Sequence, residues 1–114
     1  MTDSSAMDYV EFSVSDINRT KDFYASVFGW KFTDYGPGYT SFLDNGLGGG
    51  FTTDRPPRPG GPLLVFHVSD LEATLEQAKS AGAPITKPTF SFPGGRRFEF
   101  QDPDGYDIAA WKQE

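Results

Sequence analysis

His67 is the only histidine of the chain, and Glu11 is an acid set into an otherwise apolar, strand-like stretch. An imidazole changes charge near neutral pH and can pass a proton. A carboxylate buried among apolar groups becomes a stronger base, able to take a proton or to grip a cationic ligand. Plainer roles compete with both. A lone strand histidine is more often a hydrogen-bonded wall residue than a catalyst, and Glu11 can pair with Arg96, Arg97 or Lys31 across a sheet. There is no cysteine, which removes disulfides, thiolate zinc sites and cysteine nucleophiles together. No Gly-x-Ser-x-Gly elbow, His-Glu-x-x-His helix or dinucleotide fingerprint is present. Gly48-Gly49-Gly50 is not a phosphate loop, because no Gly-Lys-Ser/Thr helix start follows it. It reads as a close-packed strand whose missing side chains widen a cavity or admit another backbone.

The elements that carry these residues are duplicated. Val10-Glu11-Phe12-Ser13-Val14-Ser15-Asp16-Ile17 lies over Leu64-Val65-Phe66-His67-Val68-Ser69-Asp70-Leu71, with Phe, Val, Ser and Asp at matching places. Each copy alternates apolar and polar residues and then shifts to a helical spacing, the mark of a strand running into a helix. The spacing predicts helices over about Asn18–Phe28 and Glu72–Ala81, ended by Gly29 and Gly82 and capped by Asp16 and Asp70. Strands are expected at Trp30–Tyr35, Tyr39–Asp44 and Leu47–Thr53 in the first copy. In the second they are expected at Ile85–Lys87, Arg97–Gln101 and Tyr106–Lys112. Gly36-Pro37-Gly38, Asn45-Gly46, Pro93-Gly94-Gly95 and Asp102-Pro103-Asp104-Gly105 supply the turns. The expected fold class is α+β, with two tandem βαβββ modules, 7–53 and 63–114, joined by a stiff Pro/Gly-rich linker at 54–62. Together they make one domain whose curved sheets surround a cup.

Bulk properties fit that picture. Eleven Phe, five Tyr and two Trp among 114 residues can fill a core shared by two halves that are each marginal alone. A mean hydropathy of -0.47 and the lack of a long apolar run predict no membrane span. The net charge of -6 argues against nucleic acid or anionic membrane as partner. The first six residues do not read as a secretory signal, and the absence of cysteine suits a cytoplasmic location.

Val14-Ser15-Asp16-Ile17, Thr20, Phe23-Tyr24 and Phe28-Gly29-Trp30 resemble the vicinal oxygen chelate superfamily of glyoxalases, bleomycin-resistance proteins and ring-cleaving dioxygenases. So do Val68-Ser69-Asp70-Leu71 and Asp102-Pro103-Asp104-Gly105-Tyr106 in the second copy. The resemblance implies paired βαβββ modules, a homodimer and a small-molecule cup. It also implies a divalent metal held from the first and last strands of each module. At those positions stand Tyr9 and Gly49 or Gly50 in the first copy, and Leu63 and Ala109 in the second. Leucine, alanine and glycine side chains offer no lone pair, so no metal and no cofactor is expected.

Alternation along the strands then places Tyr9, Glu11, Ser13, Leu63, Val65, His67, Asp107, Ala109 and Trp111 on the cup face. The strand before the last adds either Phe98 and Phe100 or Arg97, Glu99 and Gln101. The leading expectation is a metal-free cup that binds a small organic molecule. One alternative is a glyoxalase-like lyase or isomerase with Glu11 as base and His67 or Tyr9 as proton partner. The other is a protein-interaction module whose cup is plugged by Phe98, Phe100 and Trp111.

Overall fold

A computed structural model describes residues 7–43 and 46–114. In chain order the elements are β1 (Tyr9–Ser13), α1 (Ile17–Phe28), β2 (Thr33–Asp34), β3 (Tyr39–Phe42) and β4 (Gly48–Thr52), then β5 (Leu64–His67), α2 (Leu71–Ser80), β6 (Ile85–Phe92), β7 (Gly95–Gln101) and β8 (Asp107–Gln113). Each copy of the repeat folds into a four-stranded mixed sheet, ordered β1-β4-β3-β2 and β5-β8-β7-β6. The first strand of each copy lies parallel to the last, as the crossover helix between them requires, and the remaining pairs are antiparallel. The α+β class and the doubled βαβββ order are those expected from the sequence.

Both helices start where their caps allow. Asp16 accepts from the Arg19 amide and Asp70 from the Ala73 amide, each at 3.0 Å, satisfying donors that a first turn leaves open. Gly29 ends α1 with φ +72°, a left-handed conformation that costs glycine little. The inner faces of both sheets pack on these helices. Phe98, Phe100 and Ile108 are fully buried, each stabilising the fold by about 1.5–3 kcal/mol. Tyr24 of α1 stacks on Phe51 of β4 (5.1 Å) and Trp30 (5.2 Å), and Phe28 stacks on Phe66 of β5 (4.3 Å). One aromatic core therefore runs through both copies.

The Asp-Pro-Asp-Gly segment proves to be more than a turn. Asp104 accepts from the Ser15 hydroxyl (2.7 Å) and the Arg19 guanidinium (3.0 Å), so the second copy clasps the start of α1. Asp102 accepts from the Tyr24 hydroxyl at 2.8 Å. Tyr106 donates to the Ser13 carbonyl at 2.7 Å and accepts from the Arg58 amide at 3.0 Å, tying segment 54–62 to the core.

Three strand expectations need correction. The Trp30–Tyr35 strand shrinks to Thr33–Asp34; Trp30 and Phe32 pack against the core ahead of it, outside the paired strand. The Ile85–Lys87 strand extends to Phe92; Pro88 is tolerated because β6 is an edge strand, and the pairing shifts register on either side of Lys87. Gly95 belongs to β7, leaving Pro93-Gly94 as a two-residue hairpin turn. Asp44, Asn45 and the first six residues lie outside the described residues.

Candidate functional site

The outer faces of the sheets carry the residues singled out in sequence. On β1, Tyr9 and Glu11 point outward, while Phe12 packs on Phe51 and Val14 is buried. Glu11 is exposed, which corrects the expectation of a buried acid: β1 is an edge strand whose outer face is open. Its expected arginine partners are engaged elsewhere, Arg96 with Glu72 and Glu114, and Arg97 with Glu99. Glu11 instead accepts a 2.8 Å hydrogen bond from the hydroxyl of Tyr39 on β3. The same hydroxyl lies 2.5 Å from that of Tyr9. Desolvation of the Tyr39 hydroxyl, with its bonds to Tyr9 and Glu11, pushes its pKa far above an ordinary phenol, so it stays a proton donor.

Tyr39 reaches across β4 because Gly50 has no side chain. A Cβ there would meet the Tyr39 hydroxyl oxygen at 2.3 Å. Gly49, on the inner side, lets the Val10 carbonyl approach, and Leu43 covers Gly48. The glycine run therefore does not widen the cup; neighbouring groups fill all three positions. Ser13, on the same face as Glu11, is buried, and its carbonyl is held by Tyr106.

On the second sheet the outer face presents Val65 and His67 from β5, Asp107, Ala109 and Trp111 from β8, and Arg97, Glu99 and Gln101 from β7. Leu63 lies just before β5. Phe98 and Phe100 point into the core, which removes them from the cup and with them the premise of a plugged cup. His67 sits edge-on to Trp111 at 4.9 Å, and Phe92 lies 6.1 Å from Trp111. The Arg97 guanidinium lies 5.3 and 5.7 Å from the rings of Phe90 and Phe92 and bonds Glu99 at 3.1 Å. Gln101 donates to Asp107 at 3.1 Å.

Tyr9 and Glu11 are thus gathered by Tyr39, and His67 and Trp111 by each other. Tyr39, Phe90 and Phe92 escaped sequence reasoning. The signal for Tyr39 was a glycine on the strand next to an aromatic; that for the two Phe residues was the alternation of Phe90-Ser91-Phe92 just before a Pro-Gly turn.

A separate cleft of about 920 Å³ opens between the two copies on the inner side, lined by Val10, Phe12, Phe28, Trp30 and Phe42 and by β5 with the start of α2. It reaches Leu63, Val65 and His67 around the unpaired edge of β5. Its walls are mainly the continuation of the apolar core. The hydrogen-bonded and charged groups gather instead on the outer faces.

A family model described as Glyoxalase/Bleomycin resistance protein/Dioxygenase superfamily matches residues 6–110. The chain belongs to this superfamily. A glyoxalase-related enzyme from Fulvimarina pelagi superposes with a TM-score of 0.83 at 21% identity, over 96% of this chain and 89% of that one. A glyoxalase/bleomycin resistance protein/dioxygenase family enzyme from Burkholderia phytofirmans PsJN gives 0.82 at 18%, over 96% and 100%. At these identities the likeness concerns the fold. The anthracycline biosynthesis protein DauV of Streptomyces sp. (strain C5) is 29% identical over 119 residues, covering 86% of this chain and 43% of DauV. The chain spans less than half the length of the curated relatives it matches.

The divalent metal that the superfamily implies does not fit the donor set here. Gly50 shares the outer face with Glu11 and is covered by Tyr39, and Ala109 lies opposite Val65. Of the implied ligand positions only Tyr9 offers a side-chain oxygen, and its hydroxyl is engaged with Tyr39.

Proposed function

We propose that the outer sheet faces form a cup that binds a small, planar aromatic molecule without a resident divalent metal. The observation that carries this reading is the contiguous patch of His67, Trp111, Phe92, Phe90 and Arg97 on the open side of a sheet whose other side is packed core. Aromatic walls with a few polar groups are the usual lining of small-molecule sites. The likeness to an anthracycline biosynthesis protein adds support, since an anthracycline is a planar polycyclic aromatic. Exposed Val65 and Asp107 border the patch, whereas Ala109, expected on the cup face, is fully buried beneath its neighbours and offers a ligand no surface.

The lyase reading rested on a buried Glu11, and Glu11 is exposed, so it is the weaker one. Within one chain the copies meet through their inner faces, and among the described residues the edges of β1 and β5 stay unpaired. A second copy that covers these edges and roofs the cup is the proposed assembly. Light scattering at the mass of a single chain contradicts it.

The reading is tested by thermal shift with planar aromatic compounds, an anthracycline among them, with and without a chelator. Ligand at a hundredfold excess over its dissociation constant stabilises by about 2.7 kcal/mol, a rise of several degrees in Tm. The expected rise is the same in both conditions. No rise with any compound, or one abolished by the chelator, contradicts it.

A further inference from the structure

The hydrogen bonds on the first sheet have a direction. Tyr39 has one hydroxyl proton, and it goes to the Glu11 carboxylate, which has none to return. The 2.5 Å contact between the phenols must then be made by the proton of Tyr9. Both tyrosine protons are consumed inside the chain Tyr9→Tyr39→Glu11. What remains toward solvent is lone pairs only: those of the Tyr9 oxygen and the free ones of Glu11. The raised pKa of Tyr39 keeps this polarity fixed across the working pH range.

The arrangement is built and accessible. Gly50 leaves room for the Tyr39 ring, and the first link of the chain is open, Tyr9 being 42% exposed. Exposed Tyr35 stands edge-on to Tyr39 at 6.4 Å, so aromatic faces border the acceptors. A surface with acceptors, one negative charge and aromatic rims matches a group that only donates and carries positive charge.

We infer that Tyr9, Tyr39 and Glu11 form a subsite for the ammonium or guanidinium group of an organic cation. This rests on the reading of the outer faces as ligand-binding surfaces and adds to it a cation site on the first sheet. An anionic group on the same scaffold meets lone pairs and a carboxylate, and is rejected.

The test uses the full chain and three matched fluorescent probes followed by anisotropy: 1-pyrenemethylamine, 1-pyrenemethanol and 1-pyrenecarboxylate. The amine is expected to bind at least about tenfold tighter than the alcohol, as a charge-assisted hydrogen bond allows, and the carboxylate weaker than both. In Glu11→Gln the advantage should fall below about twofold while the alcohol binds as before. Glu76→Gln, an equal charge change on exposed helix α2, should leave the advantage intact. Equal binding of amine and alcohol overturns the inference but leaves the aromatic cup standing. A loss as large in Glu76→Gln as in Glu11→Gln also overturns it, by showing attraction to net charge alone. Binding of none of the probes overturns the cup and the subsite together.

Discussion

Asp102 is where burial and hydrogen bonding act against each other on one carboxyl group. The residue is 4% exposed, and desolvation raises its pKa despite bonds from the Tyr24 hydroxyl and from the Tyr106 and Asp104 amides. A carboxyl whose folded pKa lies above its unfolded one holds its proton more tightly in the folded state. Its stabilising contribution is therefore complete below the ordinary carboxylate range, about 4, and is lost as pH rises through the folded value. Asp102→Asn removes this titration while keeping an acceptor for the two amides. Urea midpoints measured from about pH 3.5 to 6 are predicted to show wild type losing stability relative to the variant as pH rises. A relative gain would contradict the assigned direction. Two of the three bonds to Asp102 belong to the Asp-Pro-Asp-Gly turn and were legible as turn chemistry. The bond from Tyr24 crosses between the copies, and no local pattern announces it. The caps at Asp16 and Asp70 were legible for the opposite reason, since their partners lie three residues away. Tyr39 was legible as part of a strand but not as the link between Tyr9 and Glu11, because that depends on which residue lies beneath its ring.

Among the elements, β4 shows how a strand without side chains positions one that has them. Gly50 needs no left-handed conformation, so replacing it tests space alone. Gly50→Ala puts a methyl within 2.3 Å of the Tyr39 hydroxyl oxygen and 2.6 Å of its Cζ, and the ring must move. The expected cost is about 1–3 kcal/mol by chemical denaturation, most of it absent when Tyr39→Ala is already in place. A coupling below about 0.5 kcal/mol would mean that the ring does not depend on the glycine. The helices and β1 could be read from periodicity because one face of each meets the core. β6 was cut short because Lys87-Pro88-Thr89 breaks the alternation, and an edge strand can continue past such a break where a central one cannot. β2 was overextended because Trp30 and Phe32 have strand-forming side chains that the core claims for itself.

At the scale of the molecule, the two copies are proposed to act as one cooperative domain, with 54–62 connecting 7–53 to 63–114. Tyr106 is central to this, since its hydroxyl joins the Ser13 carbonyl of one copy and the Arg58 amide between them. Tyr106→Phe leaves both groups without their partner and should cost about 1–3 kcal/mol while unfolding stays a single transition. Two separate transitions would show the copies folding independently. No helix among the described residues is long and apolar enough to cross a membrane. The duplication was legible, and with it the alternation that sets residues on the inner or outer face of each sheet. The packing between the copies was not, because it depends on aromatic contacts such as Phe28 on Phe66 that link residues far apart in the chain. The central claim is that the patch around Trp111 holds an aromatic ligand, and one titration addresses it directly. Trp30→Phe leaves Trp111 as the sole tryptophan. Its fluorescence, followed during addition of an anthracycline, is predicted to quench saturably at one ligand per chain; linear quenching without saturation would contradict the claim.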